Sequence, residues 1–143
     1  MLTFAELADH AFATFVSKDL PAVMALFAED AVVIDPHYPQ PTMQGKAAIQ
    51  QGLAWAFGNM VQPGFTVLHT WTDENQTSGA VEIATDHRFR GGMRVQTAQV
   101  FVVDTRDGLI TRLQSFPSYG PPGIVGTLTR ATRFTWRLRG KLR

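Results

Sequence analysis

The sequence of 143 residues contains no cysteine, which excludes disulfide bonds, thiolate nucleophiles and cysteine-ligated metal sites. It also lacks any apolar run close to the roughly 18 residues that a membrane-spanning helix requires. Only 17% of its residues are charged, whereas 45% are hydrophobic. A chain of this length and composition buries a single hydrophobic core. We therefore expect one small domain.

The N-terminal segment lacks the pattern of a signal peptide. Residues 1–16 contain Glu6 and Asp9 where such a peptide has an uninterrupted apolar region. The segment instead has the spacing of an amphipathic helix. We therefore expect a cytoplasmic protein.

Charge is divided unevenly along the chain. Residues 121–143 contain six basic residues and no acidic one, whereas residues 1–120 contain seven basic and twelve acidic residues. An acidic body does not suit nucleic acid, and the basic cluster Arg88, Arg90 and Arg94 lacks alternating aromatic side chains for base stacking. We expect no nucleic-acid partner.

Helical signals occupy the first 60 residues. Thr3 and Glu6 form a capping box before an apolar stripe at helical spacing, and Asp19 is a suitable cap for a second, short helix. Residues 31–35 predict a strand that Pro36 ends. A third helix is expected to begin near Gly45.

Beyond residue 63 the hydrophobic period changes to two. Strands are predicted over residues 65–72, 79–90, 93–104 and 109–116, with turn residues between them. Helices followed by an antiparallel meander indicate an α+β fold, in which a cone-shaped curved antiparallel sheet packs on three N-terminal helices. The interior of such a cone is a natural small-molecule pocket.

Three segments carry a family resemblance: residues 27–36 (FAEDAVVIDP), 45–49 (GKAAI) and 107–113 (DGLITRL). Over about residues 3–119 the chain resembles the nuclear transport factor 2-like superfamily, and within it the SnoaL-like and ketosteroid isomerase-like branch. The resemblance implies a cone-shaped α+β barrel over residues 1–120, a homodimer, and a small hydrophobic molecule as ligand. It leaves the reaction open, because this fold supports isomerases, polyketide cyclases and plain binding modules.

Asp35 is the residue that the resemblance singles out. In ketosteroid isomerases the aspartate of this strand-ending Asp-Pro pair is the general base, a case that also serves as a general example of pKa tuning. Period two places Asp35 on the face of Val33 and Ala31, so its carboxylate is expected to enter an apolar cavity. The alternative is that Asp35 only accepts backbone hydrogen bonds in the proline-rich turn.

The chain departs from the isomerase pattern at two positions. Ala11 stands where that family has an oxyanion-hole tyrosine, and Val100 falls at or near the position of its second acid. A base without its oxyanion donors lacks a large catalytic contribution. We therefore do not expect steroid isomerisation.

Two histidines are candidates to assist Asp35. His37 follows it by two residues in a stiff loop, and His87 lies on the inward face of its strand if its neighbours Asp86 and Arg88 pair with each other at the surface. The alternatives are an exposed loop histidine and a hydrogen-bonded core histidine. No histidine pair has metal-ligand spacing, so we expect no metal and no other cofactor. The residues predicted to line the pocket mouth are aromatic: Tyr38, Trp55, Trp71, Phe101, Phe116 and Tyr119.

The basic appendage, residues 121–143, has both helical and alternating spacing, and helix is favoured. Three roles are open: docking on the domain or on a dimer mate, contact of residues 126–143 with an anionic membrane surface, or none. Docking is preferred because the charges of body and tail are opposite.

Three interpretations of the whole chain stay open. The first is a cofactor-free isomerase or cyclase with Asp35 as base on a hydrophobic carbonyl compound. The second is a non-catalytic ligand-binding module, and the third is an interaction protein that acts through its tail.

Overall fold

The computed structural model describes residues 1–119 and 123–141. Within them the chain forms four helices: α1 (Phe4–Ser17), α2 (Leu20–Met24), α3 (Gly45–Asn59) and α4 (Gly123–Leu138). Seven strands accompany the helices: β1 (Phe27–Ile34), β2 (Thr42–Gln44), β3 (Met60–Gln62), β4 (Phe65–Thr72), β5 (Ser78–Phe89), β6 (Arg94–Arg106) and β7 (Leu109–Pro117). This is the α+β architecture that the change of hydrophobic period predicts.

Local signals explain where the first helices begin. The Thr3 side chain accepts the Glu6 backbone N–H while the Glu6 carboxylate accepts the Thr3 N–H, so the predicted capping box forms. Asp19 accepts the N–H of Ala22 at 3.0 Å and caps α2. α3 begins at Gly45, whose φ of +80° suits glycine.

The sheet has the strand order β2-β1-β7-β6-β5-β3, and β4 pairs with β5 beside β3. β4 to β7 form the predicted antiparallel meander, whereas β1 pairs with β7 in parallel. The expectation of a wholly antiparallel sheet is therefore wrong at this pair. Because the entire meander separates β1 from β7 in sequence, no hairpin fixes their relative direction.

α1 packs its apolar stripe against the concave face of the curved sheet. Phe12 lies 5.3 Å from Phe65 of β4 and 5.2 Å from Phe101 of β6, between ring centroids. The two largest side chains with almost no exposure are Phe27 of β1 and Met43 of β2. This core closes one end of the cone and leaves the other end, beneath α3, free for a cavity.

α4 lies apart from that core. Its apolar side chains are exposed, so the described chain does not bury them against its own domain. Docking of the appendage on the domain or on a dimer mate stays a prediction. No described helix has the length and apolar content needed to cross a bilayer.

Candidate functional site

A cavity of about 250 Å³ lies between α3 and the concave face of the sheet. A smaller void of about 40 Å³ adjoins it towards the core, and Asp35 borders both. Seven of the nine residues predicted for the site line the larger cavity: Asp35, His37, Tyr38, Trp55, His87, Phe101 and Tyr119. The chain therefore brings most of the predicted site together, around a cavity that is mainly apolar.

Asp35 follows the last residue of β1 and is only 8% exposed. Its backbone N–H donates to the Pro41 carbonyl at 2.8 Å, and its own carbonyl accepts the Tyr38 N–H at 3.3 Å. These two bonds fold the proline-containing loop back over the strand end. The side chain at this position is consequently held at the border of the cavity instead of reaching solvent.

The two carboxylate oxygens of Asp35 have different surroundings. Oδ1 accepts the His37 backbone N–H at 2.9 Å and the His37 Nδ1–H at 2.6 Å. Oδ2 accepts no hydrogen bond from any residue in the described part of the chain, and no buried side-chain oxygen there is left unpaired. Oδ2 is therefore not fully buried, and the residue that carries it borders the cavity.

His37 connects Asp35 to Tyr119. A carboxylate only accepts, so Nδ1 of His37 carries a proton. Nε2 accepts the Tyr119 hydroxyl when the ring is neutral and donates to the Tyr119 oxygen when the ring is charged. The hydrogen bond to Asp35 raises the pKa of His37 above its ordinary value, although partial burial opposes this. The result is a chain of hydrogen bonds from Tyr119 through His37 to Asp35 at the cavity mouth.

His87, on the inward face of β5, is also 8% exposed. Its Nδ1 accepts the backbone N–H of Gly64 at 3.1 Å, so in the neutral ring the proton is on Nε2. Burial lowers the pKa of His87, and the nearby charge of His37 lowers it further. His87 is thus a neutral N–H donor in the cavity wall.

Gly64 makes the position of His87 specific. A Cβ added at residue 64 would lie 2.3 Å from the carbonyl oxygen of Asp86, so only glycine permits the two backbones to approach this closely. The Phe65 ring packs edge-to-face against the imidazole of His87, with 4.8 Å between the ring centroids. Backbone and aromatic contacts together hold the ring of His87 in one orientation.

Tyr38 supplies a second donor. Burial and the negative charge of Asp35 both raise the pKa of the Tyr38 hydroxyl, so this phenol keeps its proton. Among the described residues its hydroxyl has no hydrogen-bond partner, and its ring lies 6.1 Å from that of Trp55. The Tyr38 hydroxyl is available to a ligand.

A polar row crosses the sheet beneath the cavity. Thr97 and Gln99 line the cavity from β6, and the hydroxyl of Ser115 of β7 donates to the side-chain oxygen Oε1 of Gln99 at 2.7 Å. The Gln99 amide nitrogen donates weakly to Thr97 at 3.4 Å. These residues were absent from the predicted site, and β6 faces the cavity with Gln99 and Phe101 instead of the Val100 between them.

Trp71 and Phe116 were wrongly predicted to line the pocket. A β-bulge between Val67 and His69 of β4 reverses the alternation, so Trp71 points to the outer face and is 54% exposed. Phe116 is 50% exposed because the inward positions of β7 are Leu113 and Ser115.

The predicted pairing of Asp86 with Arg88 is also wrong. Arg94 of β6 donates two hydrogen bonds to Asp86, at 2.7 and 2.6 Å, because the antiparallel register brings these side chains together at the surface. Among the described residues no cluster of three histidine or acidic side chains is placed to hold a metal ion.

Apolar lining residues also escaped prediction: Ala56, Met60, Phe65, Phe89 and Val95. Phe65 and Phe89 belong to the same inward positions as Val67 and His87, so strict alternation identifies them. Met60 lies on β3, a three-residue strand that has no period of its own. Its position depends on pairing with Phe89.

The comparisons with known proteins agree with this geometry. The sequence model of the SnoaL-like domain family matches residues 8–113, which is more than half of the chain. No curated protein matches the sequence. Solved structures do match it.

The Δ5-3-ketosteroid isomerase from Mycobacterium sp. has a TM-score of 0.71 at 24% identity, over 80% of this chain and 93% of that one. A Mycobacterium tuberculosis protein in complex with estradiol-17β-hemisuccinate has a TM-score of 0.70 at 19% identity, over 83% and 95%. An epoxide hydrolase/cyclase-like enzyme of pyran ring formation in salinomycin has a TM-score of 0.70 at 21% identity, over 80% of this chain and 90% of that one. Likeness at these identities establishes the ketosteroid isomerase-like, nuclear transport factor 2-like fold.

Proposed function

We propose that this chain, which belongs to the SnoaL-like domain family, binds a small hydrophobic carbonyl compound and moves a proton at the carbon beside the carbonyl. The observation that carries the proposal is the asymmetry of Asp35. One of its oxygens is held by His37, while the other is open to an apolar cavity. An apolar pocket with a few convergent polar groups is the usual form of a small-molecule site.

The proton transfer uses Asp35 and two neutral donors. Oδ2 of Asp35 takes the proton from the carbon, and the electron pair of that C–H bond forms the enolate. The enolate oxygen accepts hydrogen bonds from His87 Nε2–H and the Tyr38 hydroxyl, which stabilise the developing charge. Return of the proton from Asp35 to the same or another carbon completes exchange or isomerisation.

His37 acts as a positioning residue. Its two hydrogen bonds fix Oδ1 of Asp35, which directs Oδ2 towards the cavity. Tyr119 in turn orients the imidazole through Nε2. This arrangement supplies from His87 and Tyr38 the donor function that the isomerase pattern assigns to the positions of Ala11 and Val100.

The test uses 2-tetralone, a bicyclic ketone with acidic protons beside its carbonyl. Hydrogen–deuterium exchange at those positions is followed by NMR with the native chain and with Asp35→Asn. We expect catalysed exchange that falls on the order of 100-fold or more in the variant, the range of general-base catalysis. Exchange no faster than in buffer refutes proton transfer.

A ligand-binding module without catalysis is the second candidate, favoured by the neutral donors His87 and Tyr38, which bind an oxygen without any proton transfer. Fluorescence titration with 2-naphthol, a phenolic mimic of an enolate, separates the two. Binding together with exchange supports the enzyme, and binding without exchange supports the module. If neither binding nor exchange is observed, the cavity does not bind this class of ligand.

The homodimer predicted from the resemblance also stays a proposal. The outer sheet face carries exposed apolar side chains, notably Leu68, Trp71 and Phe116, which provide a surface for a second copy. Sedimentation equilibrium of the native chain and of Trp71→Glu tests it. A dimer that dissociates in the variant supports this face, whereas a monomeric native chain refutes it.

A further inference from the structure

α4 exposes nearly all of its apolar side chains. Trp136, the least exposed of the six, still has 45% of its surface free, and Ile124 has 80%. The other four are Val125, Leu128, Phe134 and Leu138. Exposed apolar side chains in such number on one helix are typical of a binding surface.

The helix is strongly amphipathic. At about 100° per residue, Arg130, Arg133 and Arg137 fall within about 60° of one another on the helical wheel. The six apolar side chains, together with threonines, occupy a sector of about 200° on the remaining side. A narrow basic stripe beside a broad apolar face rich in aromatic residues is the pattern of helices that lie in a membrane interface.

The basic charges of α4 have no acidic partners among the described residues. No ion pair there includes Arg130, Arg133 or Arg137. Four of the twelve carboxylates of residues 1–120 already pair with a lysine or arginine of the same segment. Those four are Glu29, Asp30, Asp86 and Asp104.

We propose that α4 binds an anionic lipid surface, with its apolar face in the headgroup region and its arginines on the lipid phosphates. The apolar sector and the unpaired positive charge point to the same partner. Contact with the acyl region accounts for Phe134 and Trp136, which pure charge attraction does not require.

The test is cosedimentation of the full chain with vesicles of phosphatidylcholine, alone or mixed with phosphatidylglycerol. We expect binding to the mixed vesicles and little to the neutral ones. The double variant Arg130→Gln/Arg133→Gln is expected to bind about 25-fold more weakly, since each basic residue near such a surface contributes about fivefold.

The hairpin between β5 and β6 provides a matched control. Arg88→Gln/Arg90→Gln removes the same charge from exposed arginines outside the helix, and we expect less than a threefold change. Equal weakening by both double variants would mean attraction by overall charge and would overturn the proposal, as would absence of binding to mixed vesicles. Thermal denaturation of each variant verifies that it is folded.

Trp136 reports whether the apolar face enters the lipid. In the variant Trp55→Phe/Trp71→Phe it is the sole tryptophan, and its emission is expected to shift to the blue on mixed vesicles. Binding without that shift refutes insertion. Concentration-dependent self-association that Arg130→Gln/Arg133→Gln abolishes, without vesicle binding, would assign the helix to a second copy and overturn the lipid proposal.

Discussion

His87 makes two separable contributions, and a pair of substitutions divides them. Its Nδ1 accepts the Gly64 N–H, and in the proposed reaction its Nε2–H donates to the enolate oxygen. His87→Asn places an amide oxygen near the position of Nδ1 and has nothing at Nε2. His87→Gln places an amide N–H near Nε2 and loses the acceptor for Gly64.

The two variants are expected to fail in opposite ways. Loss of one donor to a developing oxyanion costs on the order of 100- to 1,000-fold in rate, so His87→Asn should lose most of the 2-tetralone exchange. His87→Gln leaves the half-buried N–H of Gly64 unpaired, at a cost of about 1–2 kcal/mol. That corresponds to a lower melting temperature by roughly 3–8 °C for a domain of this size.

Exchange kinetics and calorimetry on the same preparations check the reasoning. The expected outcome is a stable, slow His87→Asn and a less stable His87→Gln that retains more activity. An active His87→Asn would refute the role of Nε2–H as the oxyanion donor. Equal loss of stability in both variants would refute the role of the Gly64 hydrogen bond.

Three further predictions concern stability and the hydrogen-bond chain. Gly79→Ala should lower the free energy of unfolding by more than about 2 kcal/mol, because its Cβ would lie 2.2 Å from the Trp71 carbonyl oxygen. Gly58→Ala, whose Cβ would have no atom within 4 Å, should raise the free energy of unfolding by about 0.5 kcal/mol, and denaturant unfolding measures both. Tyr119→Phe should lower kcat less than tenfold with KM unchanged, because it acts through His37; a changed KM would place it in ligand contact. Because the pKa of His87 is lowered in the folded chain, the unfolded chain binds a proton there at a higher pH than the folded chain does. The free energy of unfolding of the native chain should therefore fall relative to that of His87→Asn as pH drops below 6.5, the ordinary pKa of histidine. A pH-independent difference in melting temperature would contradict that.

Elements in which the hydrophobic period repeats over many residues, or in which a side chain caps a helix, were predictable from the sequence. α1 has a capping box and three turns of apolar spacing, and the meander strands have eight or more residues each. β2 and β3 were not predictable, because three residues show no period and pair only through tertiary contacts. The direction of β1 beside β7 is likewise a property of the whole fold.

The candidate site was predictable where alternation is unbroken. His87 lines the cavity, as the alternation of inward and outward side chains along β5 requires, whereas the bulge in β4 turns Trp71 outward. The contact of Asp35 with His37 follows from their separation by two residues. The contact of His37 with Tyr119 spans 82 residues, and no local pattern specifies it.

The cavity separates groups that titrate near neutral pH from groups that do not. The hydrogen bond to Asp35 raises the pKa of His37. Burial lowers the pKa of His87, so its ring is neutral and keeps one N–H at neutral pH, and burial raises the pKa of Tyr38, so its hydroxyl keeps its proton. The pH dependence of exchange should therefore follow His37, whose pKa is raised by its hydrogen bond to Asp35. His37→Asn should move the midpoint of the pH–rate profile, whereas His87→Asn should lower its plateau and leave the midpoint in place. A midpoint that moves with His87 would mean that this histidine carries the transferred proton, and the assignment of base and donor would have to be reversed.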